Sequence, residues 1–235
     1  LLNLLGLRYT GSSPAGLMLA GDKTPEEKIL SFHGILTARS ATVFRGSVDW
    51  AGDIAFPLIL KPPQEDASLG ITQKSIVNDV QELLETMSSL QNEYQGPVLA
   101  EEFIDGREFY VGVLGNSDAQ ALPVVELDFT GFPDGRPKIA RWEAKWGDNG
   151  YETGAEFAGT RSVFPETLTE ELAEKMQQVA IRAFNALRLR DYARVDLRVT
   201  AKGEIYVIEV NPNCYLEKSA EFSMASEKSG ITYDA

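Results

Sequence analysis

Ala193–Asn213 reads ARVDLRVTAKGEIYVIEVNPN. Two runs of alternating apolar residues flank Ala201-Lys202-Gly203-Glu204, the pattern of a β-hairpin with Lys202-Gly203 as its two turn residues. That turn sets a register in which Ala201 faces Glu204, Asp196 faces Glu209 and Arg194 faces Asn211. Side chains alternate across a strand, so Val195, Leu197, Val199, Tyr206, Ile208 and Val210 share one face. Arg194, Asp196, Arg198, Glu209 and Asn211 share the other, with Ile205 and Val207 nearer the turn. Carboxylates directly opposite each other repel, so a positive group belongs between Asp196 and Glu209. Asp, Glu and Asn offer oxygen donors, which suit a hard cation such as Mg²⁺. The alternative is a half-exposed hairpin whose acids pair with Arg194 and Arg198; spacing alone leaves both open.

The 235 residues make one large domain or two small ones with length enough for a real core. A net charge of -13 argues against a nucleic-acid groove, which needs a basic stripe. It is compatible with a nucleotide cleft, where a few placed lysines and a metal outweigh the global field. Cys214 is the one cysteine, which rules out an intrachain disulfide and points to a reducing, cytoplasmic setting. His33 is the one histidine, which nearly excludes histidine triads and His-rich zinc sites. No apolar run is long enough to span a bilayer, and no signal-peptide pattern is present. Because the chain opens on Leu1, an N-terminal portion is expected to be lacking.

Along the chain, Leu1–Leu7 has helical spacing, and Thr24, Pro25 and Glu27 form a capping box for a helix ending near His33-Gly34. His33 reads as a solvated C-terminal cap. Strands are expected over Ala41–Phe44, Phe56–Lys61, Val98–Ile104, Glu108–Gly115, Ala121–Asp128 and Ile139–Trp146, the third and fourth forming a hairpin about Asp105-Gly106. Ser75–Gln91 reads as an amphipathic helix with Ile76, Val80, Leu83, Leu84, Met87 and Leu90 buried. Gly147–Pro165 is a long polar segment, the profile of a functional lid or a disordered loop. Helices are expected over Glu166–Leu187, capped by Thr167 or Thr169, and over Leu216–Lys228.

Six stretches coincide in order: Asp22-Lys23, Leu60-Lys61-Pro62 with the loop to Gly70, Glu101-Glu102-Phe103-Ile104-Asp105-Gly106-Arg107-Glu108, Glu143-Ala144-Lys145-Trp146, Ala193-Arg194-Val195-Asp196 and Ile208-Glu209-Val210-Asn211-Pro212-Asn213. Together they resemble the ATP-grasp superfamily, most closely its D-alanine–D-alanine ligase family. The resemblance implies an α+β fold in which two subdomains with antiparallel sheets clamp ATP. The expected parts are residues 1–20 as the tail of an N-terminal domain, residues 21–107 as the small subdomain and residues 108–235 as the C-terminal subdomain with the metal site. It further implies Lys23 and Lys61 on the ATP phosphates, and the Asp66–Gly70 loop, with Ser68 and Gly70, closing over them. Glu101 would take the adenine amino group, the Glu102 and Ile104 backbones the ring edge, and Glu108 the ribose. Lys145 would touch the phosphates or the adenine side. Asp196, Glu209 and Asn211 would hold two Mg²⁺ (or Mn²⁺) ions, and Arg194 would steady charge on the reacting acyl centre.

The implied chemistry joins a small-molecule carboxylate to an amine through an acyl phosphate, in a peptidoglycan setting, with no nucleic-acid or membrane partner and with room for a homodimer. Phosphoryl transfer needs positioning and charge neutralisation rather than a protein nucleophile. The chain also departs from the family pattern. Asp66-Ala67-Ser68 stands for the usual Gly-Ser-Ser, and Trp146 for a tyrosine. Tyr215 replaces a glycine, and Ala220-Glu221 replaces the serine–leucine pair that receives the second D-alanine's carboxylate. Altered substrates, an ATP-binding module without ligase activity and a plain scaffold are the competing readings.

Overall fold

The computed structural model describes residues 2–45, 47–50, 53–65, 71–131, 138–139 and 160–234. Contacts divide the chain into two units, one of Leu1–Thr37, Asp105–Leu127 and Ser162–Ala235, the other of Ala38–Ile104 and Asp128–Arg161. Residues up to Thr37 join the first unit because Val207 donates its N–H to Leu36 O at 2.9 Å and Thr37 bridges to Val207. No helix among the described residues is long and apolar enough to cross a membrane.

The first unit contains helices α1 (Pro14–Ala20) and α2 (Lys23–Phe32). Its six-stranded sheet runs, in spatial order, β11 (Ile205–Asn211), β10 (Asp191–Val199), β6 (Arg107–Gly115), β8 (Val125–Asp128) and β9 (Arg161–Val163), with β7 (Gln120–Ala121) on β6. One face buries Phe109, Val111, Val113, Val195, Leu197, Val207 and Val210 against Met176, Ala180, Ala183 and Phe184 of α4 (Glu170–Ala186). Thr169 caps α4 by accepting from the Leu172 N–H. On the other face α5 (Glu221–Lys228) packs on β6. Gly112 makes that approach tolerable: a Cβ there would come within 2.9 Å of the Phe222 ring and 2.8 Å of Leu122.

The hairpin of β10 and β11 has the expected pairs Asp196–Glu209 and Arg194–Asn211, but not for the expected reason. A two-residue turn would have continued that register to the tip. Instead Leu197 pairs with Val207, Arg198 with Tyr206 and Val199 with Ile205, after a register shift beyond Asp196. Thr200 N–H donates to Glu204 O, which leaves Ala201-Lys202-Gly203 as a three-residue loop. Gly203 sits at φ 81°, where glycine carries no Cβ penalty. The irregularity at Ile208 absorbs the residue that the longer loop displaces. Val207 therefore faces the core beside Val195 and Val210, and Tyr206 faces the Arg198 side, the reverse of the sequence expectation.

The second unit has a five-stranded sheet in the order β2 (Ser47–Trp50), β1 (Ser40–Phe44), β5 (Val98–Glu102), β3 (Leu58–Lys61) and β4 (Ile76–Val77). Its core sets Leu58, Leu60, Val77, Val98 and Ala100 against Leu90 of α3 (Val80–Tyr94), with Leu83 and Met87 alongside.

Several local expectations are corrected. Residues 73–75 form a 3-10 turn and Asp79 caps α3, so the helix starts later, and Val80 and Leu84 are exposed rather than buried. β5 and β6 are not a hairpin: β5 pairs with β1 and β3, while β6 pairs with β8 and β10. A Cβ on Gly106 would lie 2.3 Å from Val199 O, so glycine serves a close backbone passage there. Asp22, not Thr24, caps α2, its carboxylate accepting from the Thr24 N–H. Residues 2–6 form turns rather than a helix. The strand expected over Ala121–Asp128 is split about Pro123, which lacks an N–H to pair. α5 begins at Glu221, not Leu216. The strand expected over Ile139–Trp146 lies, beyond Ile139, outside the described residues, as does most of the expected lid.

Phe184 is fully buried in the α4 interface. Phe184→Ala should cost about 3–5 kcal/mol in urea unfolding, whereas Leu84→Ala should cost less than about 0.5 kcal/mol.

Candidate functional site

The polar face of the first unit's sheet carries Glu108 and Tyr110 from β6, Arg194, Asp196 and Arg198 from β10, and Glu209 and Asn211 from β11. Register pairs Asp196 with both Tyr110 and Glu209, and Arg198 with Glu108. The strands thus bring Asp196, Glu209 and Asn211 together. Asn211 Nδ2 donates to Asp196 Oδ2 at 3.2 Å and to Glu209 Oε2 at 3.4 Å.

Cations meet both acids. Lys23 Nζ lies 2.6 Å from Glu209 Oε1, with Lys23 8% and Glu209 17% exposed. Glu26, one turn further along α2, accepts the Val210 N–H at 2.9 Å and so ties α2 to β11 beside that pair. Arg194 donates to Asp196 from Nε at 2.7 Å and from Nη2 at 2.9 Å, a two-pronged pair. Its Nη1 donates to Glu221 Oε2 at 3.1 Å, and its guanidinium lies 4.8 Å from the Tyr110 ring centre. Burial pulls the Arg194 guanidinium down, but the Asp196 charge and hydrogen bonds, with Glu221 behind them, outweigh it and hold the group well above its ordinary range. Burial, reinforced by the Glu108 charge, pushes the Tyr110 phenol well up, so it stays a donor to Glu108 Oε1 at 2.9 Å. Arg198 Nη2 meets Glu108 Oε2 at 2.9 Å.

The like charges found by register are therefore compensated by Lys23 and Arg194, which answers the sequence question partly in favour of ion pairing. The same donor set also fits a hard cation. Two carboxylates and an amide oxygen are what Mg²⁺ accepts, and turning the Asn211 amide exchanges its nitrogen for oxygen. Among the described residues no group of three or more His, Cys, Asp or Glu side chains is arranged to hold a metal ion; this set has two acids and an amide.

In the second unit Lys61 Nζ lies 2.6 Å from Glu101 Oε1, with side chains 5% and 4% exposed. The phosphate cation and the adenine acceptor expected from sequence thus meet each other in a buried pair. Glu102 accepts the Ala55 N–H at 2.8 Å through its side chain and donates its own N–H to Arg39 O. Ile104 ends that segment. Ser68, Gly70 and Lys145, with the phosphate loop at 66–70, lie outside the described residues.

Three contacts escaped the sequence reading: Lys23 on Glu209, Arg198 on Glu108, and Glu221 on Arg194. The second would have followed from placing β6 beside β10. The third has no periodic signal, because residues 212–220 carry the chain from β11 to α5 without a repeat.

Sheets of this order with these elements define a protein of the ATP-grasp class, and the comparisons agree. D-alanine–D-alanine ligase from Bacillus anthracis, solved in complex with ATP, superposes with a TM-score of 0.75 at 26% identity, over 99% of this chain and 68% of that one. The sequence profile described as D-ala D-ala ligase C-terminus matches residues 37–235, and the chain belongs to that family. The D-alanine–D-alanine ligase of Desulfotalea psychrophila is 34% identical over 214 residues, 89% of this chain and 62% of its own length. An uncharacterized protein of Sinorhizobium fredii is 31% identical over all of this chain and 66% of its own length. The chain thus spans about two thirds of the relatives it matches.

Cys214 follows the site directly and is buried. Burial pushes its thiol up to about 12, with Arg194 pulling the other way. At pH 8 the native thiol should react with a disulfide reagent at least about a hundredfold slower than in urea, because the thiolate is the nucleophile. The sign of the shift fixes the pH dependence. The proton is held more tightly in the folded chain, so this stabilisation is full below pH 9 and fades toward pH 12.

Proposed function

We propose that this chain is the nucleotide- and metal-binding part of an ATP-dependent ligase that joins a carboxylate to an amine, like the D-alanine–D-alanine ligases it is similar to. The observation that carries the reading is the facing pair Asp196–Glu209 with Asn211 beside it and Arg194 on the same strand face. ATP with Mg²⁺ or Mn²⁺ are the implied cofactors. Asp196, Glu209 and Asn211 would hold the cation, which when bound neutralises phosphate oxygens.

The donor carboxylate oxygen bonds to the γ-phosphorus as the bond to the ADP oxygen breaks. The amine nitrogen then bonds to the acyl carbon, that carbon's bond to the phosphate oxygen breaks, and the nitrogen yields a proton to the departing phosphate. Arg194 is fixed on its strand by Asp196 and would bring positive charge to the acyl centre from Nη1, the nitrogen that now meets Glu221. Lys23 supplies charge beside Glu209 for the phosphates. Glu108, held by Tyr110 and Arg198, is a positioned acceptor for ribose hydroxyls. In the second unit Lys61 is carried over as a phosphate cation, Glu101 as the acceptor for the adenine amino group, and Glu102 and Ile104 as backbone partners of the ring edge. Ser68, Gly70 and Lys145 are carried over as phosphate or adenine contacts on sequence pattern alone. A cytoplasmic setting belongs to the same reading and is supported by the single buried, unpaired thiol.

A second reading, ATP binding without ligation, is favoured by two contacts: Asp196 and Glu221 both already engage Arg194.

ADP release by the full chain with ATP, Mg²⁺ and a panel of amino acids and amines separates the two. Ligation requires release stimulated by a carboxylate–amine pair, and Glu209→Gln should lower it at least about a hundredfold, close to 3 kcal/mol of barrier. A rise in Tm with ATP but no ADP selects the binding module. Lys61→Ala is the poorer probe, because it strands buried Glu101, an effect of about 3–5 kcal/mol on stability.

A further inference from the structure

The charges around Asp196 and Glu209 balance within the chain itself. Lys23 Nζ stands 2.6 Å from Glu209 Oε1, and Arg194 meets Asp196 Oδ1 at 2.7 Å and Oδ2 at 2.9 Å. Asn211 Nδ2 lies between the acids, 3.2 Å from Asp196 Oδ2 and 3.4 Å from Glu209 Oε2. Every carboxylate oxygen of the pair therefore already meets a donor. The Lys23 and Asp196 side chains are each 8% exposed, so little water reaches these charges. A divalent cation added to that balanced set would leave its own charge uncompensated, which is costly where solvent is scarce.

The two internal cations are held differently. Arg194 grips Asp196 by two prongs and gives Nη1 to Glu221. Lys23 brings a point charge on a flexible stem. Its backbone is fixed, because Asp22 caps α2 through the Thr24 N–H and Glu26 accepts the Val210 N–H at 2.9 Å. The ammonium can thus leave Glu209 by turning its stem while α2 and β11 stay in place.

We propose that Lys23 is a tethered competitor for the cation seat: its ammonium stands in for a divalent ion at Glu209, and the ion is taken up by exchange with it. The proposal rests on the cation seat of the reading above and adds the regulation of that seat. Exchange keeps the charge near balance and frees an ammonium for a phosphate anion, so that metal and phosphate favour each other through one side chain.

Mn²⁺ alone is the probe, titrated by calorimetry into the full-length protein and two variants. Lys23→Met keeps the stem and removes the charge; it should bind Mn²⁺ at least about tenfold more tightly than wild type, as removal of a competitor requires. Glu209→Gln should bind it at least about tenfold more weakly. In the wild-type protein, acetic anhydride labelling read by peptide mass spectrometry should find Lys23 at least about threefold more reactive at saturating Mn²⁺, because the buried, paired ammonium becomes the minor state. Equal affinity in wild type and a folded Lys23→Met, or unchanged labelling of Lys23, overturns the exchange; the seat itself still stands if Glu209→Gln has lost the ion. Mn²⁺ held as tightly by Glu209→Gln, or by none of the three proteins, defeats the seat and the exchange with it. The wild-type labelling decides alone if Lys23→Met does not fold.

Discussion

Everything in the first unit's polar face follows from one cross-strand pairing, Asp196 opposite Glu209. Two carboxylates on neighbouring strands do not stay together without positive charge between or beside them. The protein answers by bringing Lys23 from α2 onto Glu209 and Arg194 from the same strand onto Asp196. Lys23 reaches Glu209 because Asp22 starts the helix one residue before it and Glu26 ties that helix to β11 through Val210. The charge pattern and the packing of α2 are thus one device. A set of oxygens kept close by cations on their flanks is also a set that a divalent ion can use.

The same logic extends along β6. Gly112 lets α5 approach, the approach places Glu221, and Glu221 takes the remaining side of Arg194. Two strands further from the hairpin's loose edge, Glu108, itself partly exposed, is held by buried Tyr110 and Arg198. The polar face is therefore a continuous run of acid–base pairs rather than isolated charges. Each acid is restrained before any ligand arrives, which is the arrangement preorganised phosphoryl chemistry favours.

What the sequence made legible was alternation and punctuation. β10 and β11 announce themselves by period two, α4 by its stripe from Met176 to Phe184, and the metal-side register by a hairpin pattern. The register was nevertheless reached through two departures that cancel: a longer loop at Ala201-Lys202-Gly203 and a bulge at Ile208. Turn chemistry does not report bulges several residues away, so the faces of Tyr206 and Val207 came out reversed. Asp105-Gly106 looked like a hairpin turn, yet β5 and β6 belong to different sheets, because a local reversal signal does not name the strand's partner. Lys23 on Glu209 and Lys61 on Glu101 join residues far apart in sequence, where no spacing argument reaches. Resemblance to the ligase family, by contrast, was readable from six short stretches in order, each weak alone, and the family profile over residues 37–235 bears it out.

The central claim is that Asp196, Glu209 and Asn211 form a cation seat and not merely a cluster of ion pairs. Anomalous diffraction from crystals of the full-length protein grown with Mn²⁺ and a non-hydrolysable ATP analogue tests it most directly. The account predicts a manganese peak bound by oxygens of all three side chains, with the Asn211 amide turned so that Oδ1 faces the ion. Manganese-saturated crystals with no peak there, and with Lys23 still closing on Glu209, would contradict it.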